Sequence, residues 1–293
     1  MLDSIDEVVD AFAKQSYVTD RSLATAVFLS LRLRKPLLLE GEAGVGKTEV
    51  AKVLTGALGG DLIRLQGYEG IDISAAVYEW NYARQIMAIR SAEATGSAAD
   101  LDVFSPTFLI KRPILQALEA PPDRPTVLLI DELDRADDEF EAFLLEVLSD
   151  FQVSIPEIGT VRASVPPAVV ITSNRTRELH EALKRRCLYH WIGFPNFQRE
   201  LQVLELKAPA ASESLRRQVV GFVQALREVD LYKQPGLSET IDWASGLAAL
   251  EETKVSLAAA SATLGLLLKN QEDVELVQRE HAARLVELAQ SGT

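Results

Sequence analysis

The feature that most constrains this chain is a glycine-rich segment placed directly after a short apolar run. The run, residues 36–40, is continuous rather than alternating, which predicts a strand buried on both faces of a parallel sheet. The following segment fits the pattern G-x-x-x-x-G-K-[ST] and precedes a helix-compatible run. Backbone N–H groups of such a loop can surround an anion, so the segment predicts a nucleotide phosphate site. Its residues, here called the phosphate loop, are Gly41, Glu42, Ala43, Gly44, Val45, Gly46, Lys47 and Thr48.

Three side chains in and after this loop are candidates for direct contact with a nucleotide and its metal. Lys47 would neutralise the outer phosphates, and the Thr48 hydroxyl would be a ligand of Mg²⁺. Glu49, in the helix-compatible run that follows, is included among the nucleotide-contacting candidates. The alternative is a glycine-rich turn that matches the pattern by chance. The strand before it and the helix after it favour the nucleotide site.

Two adjacent carboxylates follow another continuous apolar run, residues 126–130. In open α/β sheets, ligands collect at the carboxyl ends of the strands, where Asp131 and Glu132 would lie. Asp131 is suited to hold Mg²⁺ together with Thr48, and Glu132 to polarise an attacking water as general base. The alternative is an acidic turn that only caps the next helix. We expect Asp134 and residues 137–139 to serve that helix start, where carboxylates suit the dipole.

Two further sites lie downstream of the acidic pair. Asn174 follows the apolar run 168–172 and could orient water or contact the terminal phosphate, or it could only serve a turn. Arg185 and Arg186 belong to a basic cluster that lies close to a strand end. From there these arginines are not expected to reach a phosphate bound to the phosphate loop of the same subunit. They could instead face a neighbouring subunit's nucleotide as an arginine finger. The alternative is a solvated basic turn or a salt bridge between subunits.

The pattern of apolar runs predicts an α/β domain followed by helices alone. Five runs alternate with segments of helical spacing, which indicates a layered α/β domain ending near Pro195. The runs are residues 36–40, 62–66, 126–130, 168–172 and 188–192. Later segments carry helical patterns at 198–207, 213–231, 239–251, 255–268 and 272–290. We therefore predict a nucleotide-binding domain over residues 1–195 and a helical lid domain over 196–293.

The composition narrows the class of protein. The 293 residues include 43 acidic and 30 basic ones, a formal net charge of −13, which argues against a general grip on nucleic acid. A single cysteine, Cys187, favours a reducing compartment, and we expect a cytoplasmic protein. The N-terminus lacks the pattern of a signal peptide. The most apolar stretch, residues 255–268, is too short to span a bilayer, so no integral membrane segment is expected.

Taken in order, these motifs resemble those of AAA+ ATPases, and specifically of the MoxR family. The resemblance covers about residues 15–245. Its pieces are a Walker A loop at 41–48, a Walker B stretch at 129–136, a hairpin-like segment at 151–155, a sensor 1 at 172–175 and a finger region at 183–186. The amino-acid sequence at residues 66–72 and 137–143 is most similar to that of the subgroup found with molybdenum-containing carbon monoxide dehydrogenase-type hydroxylases.

The resemblance implies a P-loop AAA+ fold, a five-stranded parallel sheet with a C-terminal all-helical lid, and ATP hydrolysis with Mg²⁺. It also implies a ring of identical subunits, typically a hexamer, that matures or activates a partner enzyme. Such ATPases often work with a von Willebrand factor A-domain protein. By the same resemblance Tyr17 and Val18 would line the adenine pocket, although Tyr17 could be an ordinary packing residue. Arg186 is favoured over Arg185 as the finger, and Thr240 stands where the family carries its sensor 2 arginine.

Other functions remain open from the residues alone. A DNA-acting motor would also use the hairpin, but the net acidity and the few bases there count against it. A nucleotide-dependent assembly switch with little turnover is a second alternative, and a small-molecule kinase a third. Four aromatic residues could contact a polypeptide, stack on bases or simply pack: Tyr68, Tyr78, Trp80 and Tyr82. Gln66 could act as a polar switch near Glu132 or only cap its strand.

Overall fold

The computed structural model describes residues 2–95 and 101–291, and within them the chain forms strands and helices in alternation up to residue 192. The strands are β1 (Leu37–Gly41), β2 (Asp61–Gln66), β3 (Tyr78–Trp80), β4 (Leu109–Lys111), β5 (Thr126–Asp131), β6 (Gln152–Ile155), β7 (Gly159–Arg162), β8 (Ala168–Ser173) and β9 (Leu188–Ile192).

The α-helices of the described residues are α1 (Ile5–Lys14), α2 (Arg21–Leu33), α3 (Lys47–Leu58), α4 (Ile73–Ala76), α5 (Tyr82–Thr95), α6 (Pro113–Leu118), α7 (Asp138–Asp150), α8 (Glu181–Lys184), α9 (Phe197–Lys207), α10 (Glu213–Leu226), α11 (Leu237–Ala249), α12 (Leu257–Leu267), α13 (Gln271–Leu276) and α14 (Ala282–Ser291). A π-helical turn, Val277–His281, joins the last two. No helix among the described residues has the length and apolar character needed to cross a membrane.

Five strands form one parallel sheet in the order β2-β5-β8-β1-β9. These are the five apolar runs, so the predicted α/β fold with a five-stranded parallel sheet and a C-terminal helical region is confirmed. The central strands β1 and β5 are buried along their whole length, which is why their sequences do not alternate. The strand order places the carboxyl ends of β5, β8 and β1 side by side at one edge.

The chain divides into two compact units. The first comprises Met1–Ala11, Asp20–Glu40 and Thr48–Trp191, and the second Phe12–Thr19, Gly41–Lys47 and Ile192–Thr293. In the first unit, Leu38, Ile130 and Ile171 of the sheet pack with the apolar face of α7 in one core. Two additions interrupt the alternation. Strands β3 and β4, which precede and follow α5 in the chain, pair antiparallel, and β6 and β7 form an antiparallel hairpin at the place where the family resemblance implies one.

The second unit is helical, with a core built around Trp243 and Phe222, whose rings lie 4.8 Å apart. The sequence-based prediction of a helix over 213–231 is wrong at its end, because α10 stops at Leu226. After it, the buried Asp273 carboxylate accepts hydrogen bonds from the backbone N–H groups of Tyr232 and Lys233. These side-chain contacts hold the backbone of the segment that follows the helix in a non-helical conformation.

Candidate functional site

The phosphate loop is shaped by glycines and by its own lysine. Gly44 and Gly46 adopt φ angles of +75° and +95°, a left-handed backbone open to glycine at little cost. The Lys47 ammonium is nearly buried and donates to the carbonyl oxygens of Gly41 at 2.7 Å and Glu42 at 2.6 Å. The loop therefore curls around the lysine, whose ammonium is held by two backbone carbonyl oxygens of the loop itself.

Within the second unit, the start of α11 touches the same loop. The backbone N–H of Ser238 donates to the Gly44 carbonyl at 3.1 Å. A Cβ atom added at Gly44 would lie 2.7 Å from the Ser238 hydroxyl oxygen and 2.8 Å from a Glu239 carboxylate oxygen. The backbone angle therefore favours glycine at position 44, and a larger residue there would also have to displace the Ser238 and Glu239 side chains.

Tyr17 and Val18 lie in the same unit as the loop. A Cβ atom at Gly46 would be 3.9 Å from the Tyr17 ring, and that ring packs edge-on against Phe12 at 5.7 Å. The Val18 carbonyl accepts a hydrogen bond from the Arg199 guanidinium at 3.1 Å. This position of Tyr17 is compatible with both interpretations, that it is a packing residue and that it lies beside the nucleotide site.

The first unit brings Thr48 and Asp131 together. The Thr48 hydroxyl donates to Asp131 Oδ1 at 2.9 Å, and the Thr172 hydroxyl donates to the same oxygen at 2.6 Å. Asp131 is almost fully buried. A hydroxyl and a carboxylate are the oxygen ligands that Mg²⁺ accepts beside phosphate and water, so these residues fit that ion. No group of three or more His, Cys, Asp or Glu side chains suited to a metal occurs in the described part of the chain.

Glu132 has an unusual backbone and two side-chain partners. Its φ and ψ of 53° and 50° are left-handed, a conformation that costs a non-glycine residue about 1–3 kcal/mol. The Thr172 hydroxyl accepts from its backbone N–H at 2.8 Å, which fixes the turn. Its carboxylate oxygen Oε2 accepts from Gln66 Nε2 and from Arg135 Nη1, each at 3.0 Å. The strained turn is set by the strand ends and holds a partly exposed carboxylate in place.

Sequence reasoning missed Arg64, which contacts the buried acid directly. Its Nη2 donates to Asp131 Oδ2 at 2.5 Å and to Gln66 Oε1 at 2.7 Å. Strand β2 pairs in parallel with β5 so that Gln66 lies opposite Asp131. The polar residues at 64 and 66 alternate with apolar neighbours, and this alternation is the one signal that could have placed both on the same face.

Asn174 comes directly after β8, at the same sheet edge as the acidic pair, and its side chain is half-buried. The expectation that Asp134 serves the start of the next helix is wrong, because Asp137 caps α7 through the Phe140 N–H at 2.9 Å. Asp134 is buried, and its carboxylate accepts from the backbone N–H and the hydroxyl of Thr176 at 2.9 and 2.7 Å. It therefore ties the segment after Asn174 to the acidic turn.

Arg185 and Arg186 project from a fixed backbone. They follow the short helix α8, between the buried side chains of Leu183 and Cys187. Both are exposed, and within the described ranges neither guanidinium has an ion-pair or hydrogen-bond partner in its own chain. The adjacent Lys184 differs, since it pairs with Glu178 at 2.9 Å, and that bond raises its pKa. Burial raises the pKa of the Cys187 thiol to about 12, so this cysteine stays protonated near neutral pH.

Thr240, which stands where the family resemblance expects the sensor 2 arginine, is fully buried in a polar network of the helical unit. Its hydroxyl donates to Glu200 Oε1 at 2.7 Å. Arg227 binds both carboxylate oxygens of Glu200 at 2.8 Å and donates to the Pro235 carbonyl at 2.9 Å. Both charged groups are therefore paired with each other inside the helical unit.

The four aromatic residues after β2 divide into two kinds. Trp80 is buried in the core of the first unit and lies 5.3 Å from the Phe104 ring, which supports the packing interpretation. Tyr78 is half-buried beside it, whereas Tyr68 and Tyr82 are exposed. A further apolar stripe on α5 is exposed at Tyr82, Ile86 and Ile89, with Met87 next to it.

Comparison with known proteins gives one family match. The model of the AAA domain, dynein-related subfamily, matches residues 36–187, just over half of the chain. No curated protein sequence matches significantly. Among solved structures, a candidate ATPase from Cytophaga hutchinsonii is 17% identical with a TM-score of 0.47, covering 99% of this chain and 94% of that one. The Thermotoga maritima RuvB Holliday junction branch migration motor is 15% identical with a TM-score of 0.46, covering 90% and 71%.

Proposed function

Because the chain belongs to the AAA domain family, dynein-related subfamily, and is an ATP-hydrolysing enzyme, we propose that it acts in a ring of identical subunits that remodels a protein partner. A MoxR-type ATPase of this kind would mature or activate an enzyme, with a molybdenum hydroxylase as the expected client. The expected ring is a hexamer in the cytoplasm, working with a von Willebrand factor A-domain protein. In this proposal residues 1–195 bind the nucleotide and 196–293 form the lid.

Each candidate residue receives a role that its surroundings support. Lys47 would bind the outer phosphates of ATP, while Tyr17 and Val18 would contact the adenine. Thr48 and Asp131 would hold Mg²⁺, which when bound neutralises charge on the phosphates. Glu132 would accept the proton of the attacking water, since its carboxylate is partly exposed and held by two donors. Asn174 would orient that water from the adjacent strand end.

The proposal of a ring is supported by Arg185 and Arg186. An exposed guanidinium on a rigid backbone segment, without an acidic partner in its own described chain, is suited to a charge supplied from outside. A neighbouring subunit's nucleotide would supply that charge, and the arginine would stabilise negative charge as the phosphate is transferred. Arg186 is the first choice and Arg185 the second.

A mixing experiment tests this arrangement in trans. Arg186→Ala removes the finger but keeps Glu132, whereas Glu132→Gln removes the base but keeps the finger, so each variant alone should hydrolyse ATP slowly. In a random one-to-one mixture about a quarter of the sites combine an intact base with an intact neighbouring finger, and phosphate release should recover to about that fraction.

Lys184→Ala is the matched control, because Lys184 is basic and adjacent but already paired with Glu178. It should retain most of the wild-type turnover. If the mixture stays as slow as its two components, the arginine does not act across a subunit boundary. The role belongs to Arg185 if Arg185→Ala alone is slow and recovers in the mixture, whereas Arg186→Ala alone keeps its turnover.

The proposal of a protein client is supported by the exposed apolar stripe on α5. Tyr82 and Ile86 of the stripe are 63 and 52% exposed and the adjacent Met87 is 68% exposed, whereas Gln85 and Ala92 of the same helix are buried. Apolar side chains of this size left in water on one helix face are typical of a protein interaction surface. The hairpin offers little to a nucleic acid, because its turn carries Glu157 and its first basic residue is Arg162.

Affinity capture distinguishes a protein client from a nucleic acid. Glu132→Gln should trap the ATP-bound ring, and we expect it to recover a protein from the cells that produce it. Adding Ile86→Ser and Met87→Ser should reduce that recovery several-fold. The matched pair Leu250→Ser and Leu257→Ser, exposed apolar residues of the helical unit, should not. Recovery of nucleic acid without a protein would favour the DNA-acting motor instead.

A further inference from the structure

Arg64 forms an ion pair with the buried acid Asp131, and no motif of the sequence includes this arginine. Its guanidinium lies 2.5 Å from Asp131 Oδ2, with the arginine side chain 52% and the aspartate side chain 2% exposed. The other carboxylate oxygen, Oδ1, accepts the hydroxyls of Thr48 and Thr172. Both oxygens of the acid expected to hold Mg²⁺ are thus engaged by side chains of the chain itself.

The same guanidinium also contacts the neighbour of the second acid. Nη2 of Arg64 donates to Gln66 Oε1 at 2.7 Å, which leaves Gln66 Nε2 to donate to Glu132. The register of β2 on β5 fixes this arrangement, because Gln66 is paired with Asp131 and Arg64 lies two residues earlier on the same face. Arg64 is therefore held in place by the sheet.

We propose that Arg64 is a positioning residue that lowers the affinity of Asp131 for Mg²⁺. The inference rests on the proposed use of Mg²⁺ with Thr48 and Asp131. A guanidinium on Oδ2 neutralises part of the carboxylate charge and repels a second cation brought to the same group. Mg²⁺ binding must therefore displace or outweigh this contact. The arginine sets the metal concentration at which the site fills, without touching the nucleotide.

Metal titration at equilibrium tests the proposal without relying on hydrolysis. Mg²⁺ is added to the full-length protein in the presence of a fluorescent N-methylanthraniloyl derivative of ADP, and the half-saturating Mg²⁺ concentration is measured. For Arg64→Met it should fall about two- to fivefold, the scale of an ion pair with one half-exposed partner. Nucleotide affinity in EDTA should stay within about twofold of the wild type, because the arginine opposes the metal and not the phosphates.

Arg124→Met is the matched control. Arg124 joins β2 and β5 at their opposite ends through Asp61, at 2.7 Å, with a similarly exposed side chain, and its loss should leave the titration unchanged. An unchanged or higher half-saturating Mg²⁺ concentration in Arg64→Met overturns the inference. A large loss of nucleotide affinity in EDTA also overturns it, since Arg64 would then bind phosphate. If Mg²⁺ has no effect on the wild-type protein, the proposed metal site itself fails.

Discussion

Glu132→Gln should lower the rate of ATP hydrolysis by at least about a hundredfold, because a general base contributes about 10²–10⁴ in rate. The amide keeps the size of the side chain and can still accept hydrogen bonds from Gln66 and Arg135, so the strained turn should persist. What it loses is the ability to take the proton of water. Steady-state phosphate release measures the turnover, and a fluorescent ATP analogue should show affinity within about twofold of the wild type.

Glu139→Gln provides the control for this prediction. Glu139 is an exposed residue in the first turn of α7, and its neutralisation should leave turnover almost unchanged. Turnover of Glu132→Gln within about fivefold of the wild type would mean that another group activates water. A parallel loss of nucleotide affinity would instead assign Glu132 to binding. The two measurements together therefore separate a base from a structural carboxylate.

The five-stranded sheet could be predicted, and the main candidate site residues could be singled out, because their signals are local. A strand buried on both faces is apolar along its whole length, and a phosphate loop needs glycine and lysine at fixed spacing in one segment. The contacts of Arg64 depend instead on how β2 pairs with β5, and Asp131 lies 67 residues away in the sequence. Spacing along the chain does not encode that register, so the arginine carried no motif.

Asp134 is a second residue whose contacts depend on a partner distant in the sequence. Its position just before α7 made a helix-start role the natural prediction, and Asp137 takes that role. Asp134 is 2% exposed, and its carboxylate needs buried donors that Thr176 supplies from 42 residues further along the chain. Tertiary packing decides whether a polar side chain is buried. At Asp134 it overrides the local preference of an aspartate for a helix start.

The polar network of the helical unit leads to the second large prediction. Glu200→Ala should lower the free energy of unfolding of that unit by about 3–5 kcal/mol, because it leaves the buried Arg227 guanidinium without its bidentate partner. The substitution also removes the 2.7 Å hydrogen bond that the Thr240 hydroxyl donates to Glu200. Urea unfolding followed by Trp243 fluorescence measures the effect, in a background where Trp80→Phe and Trp191→Phe leave Trp243 as the reporter.

Two controls separate burial of the charge from loss of the contact. Glu213→Ala breaks an exposed pair with Arg217 on α10 and should lower stability by less than about 1 kcal/mol. Glu200→Leu combined with Arg227→Met removes both charges, so it should recover most of the stability lost by Glu200→Ala. A loss below about 1 kcal/mol for Glu200→Ala would show that water reaches Arg227. A loss of about 3–5 kcal/mol would show that the guanidinium, which lies 4.6 Å from the centre of the Phe194 ring, contributes to stability as one half of a buried ion pair.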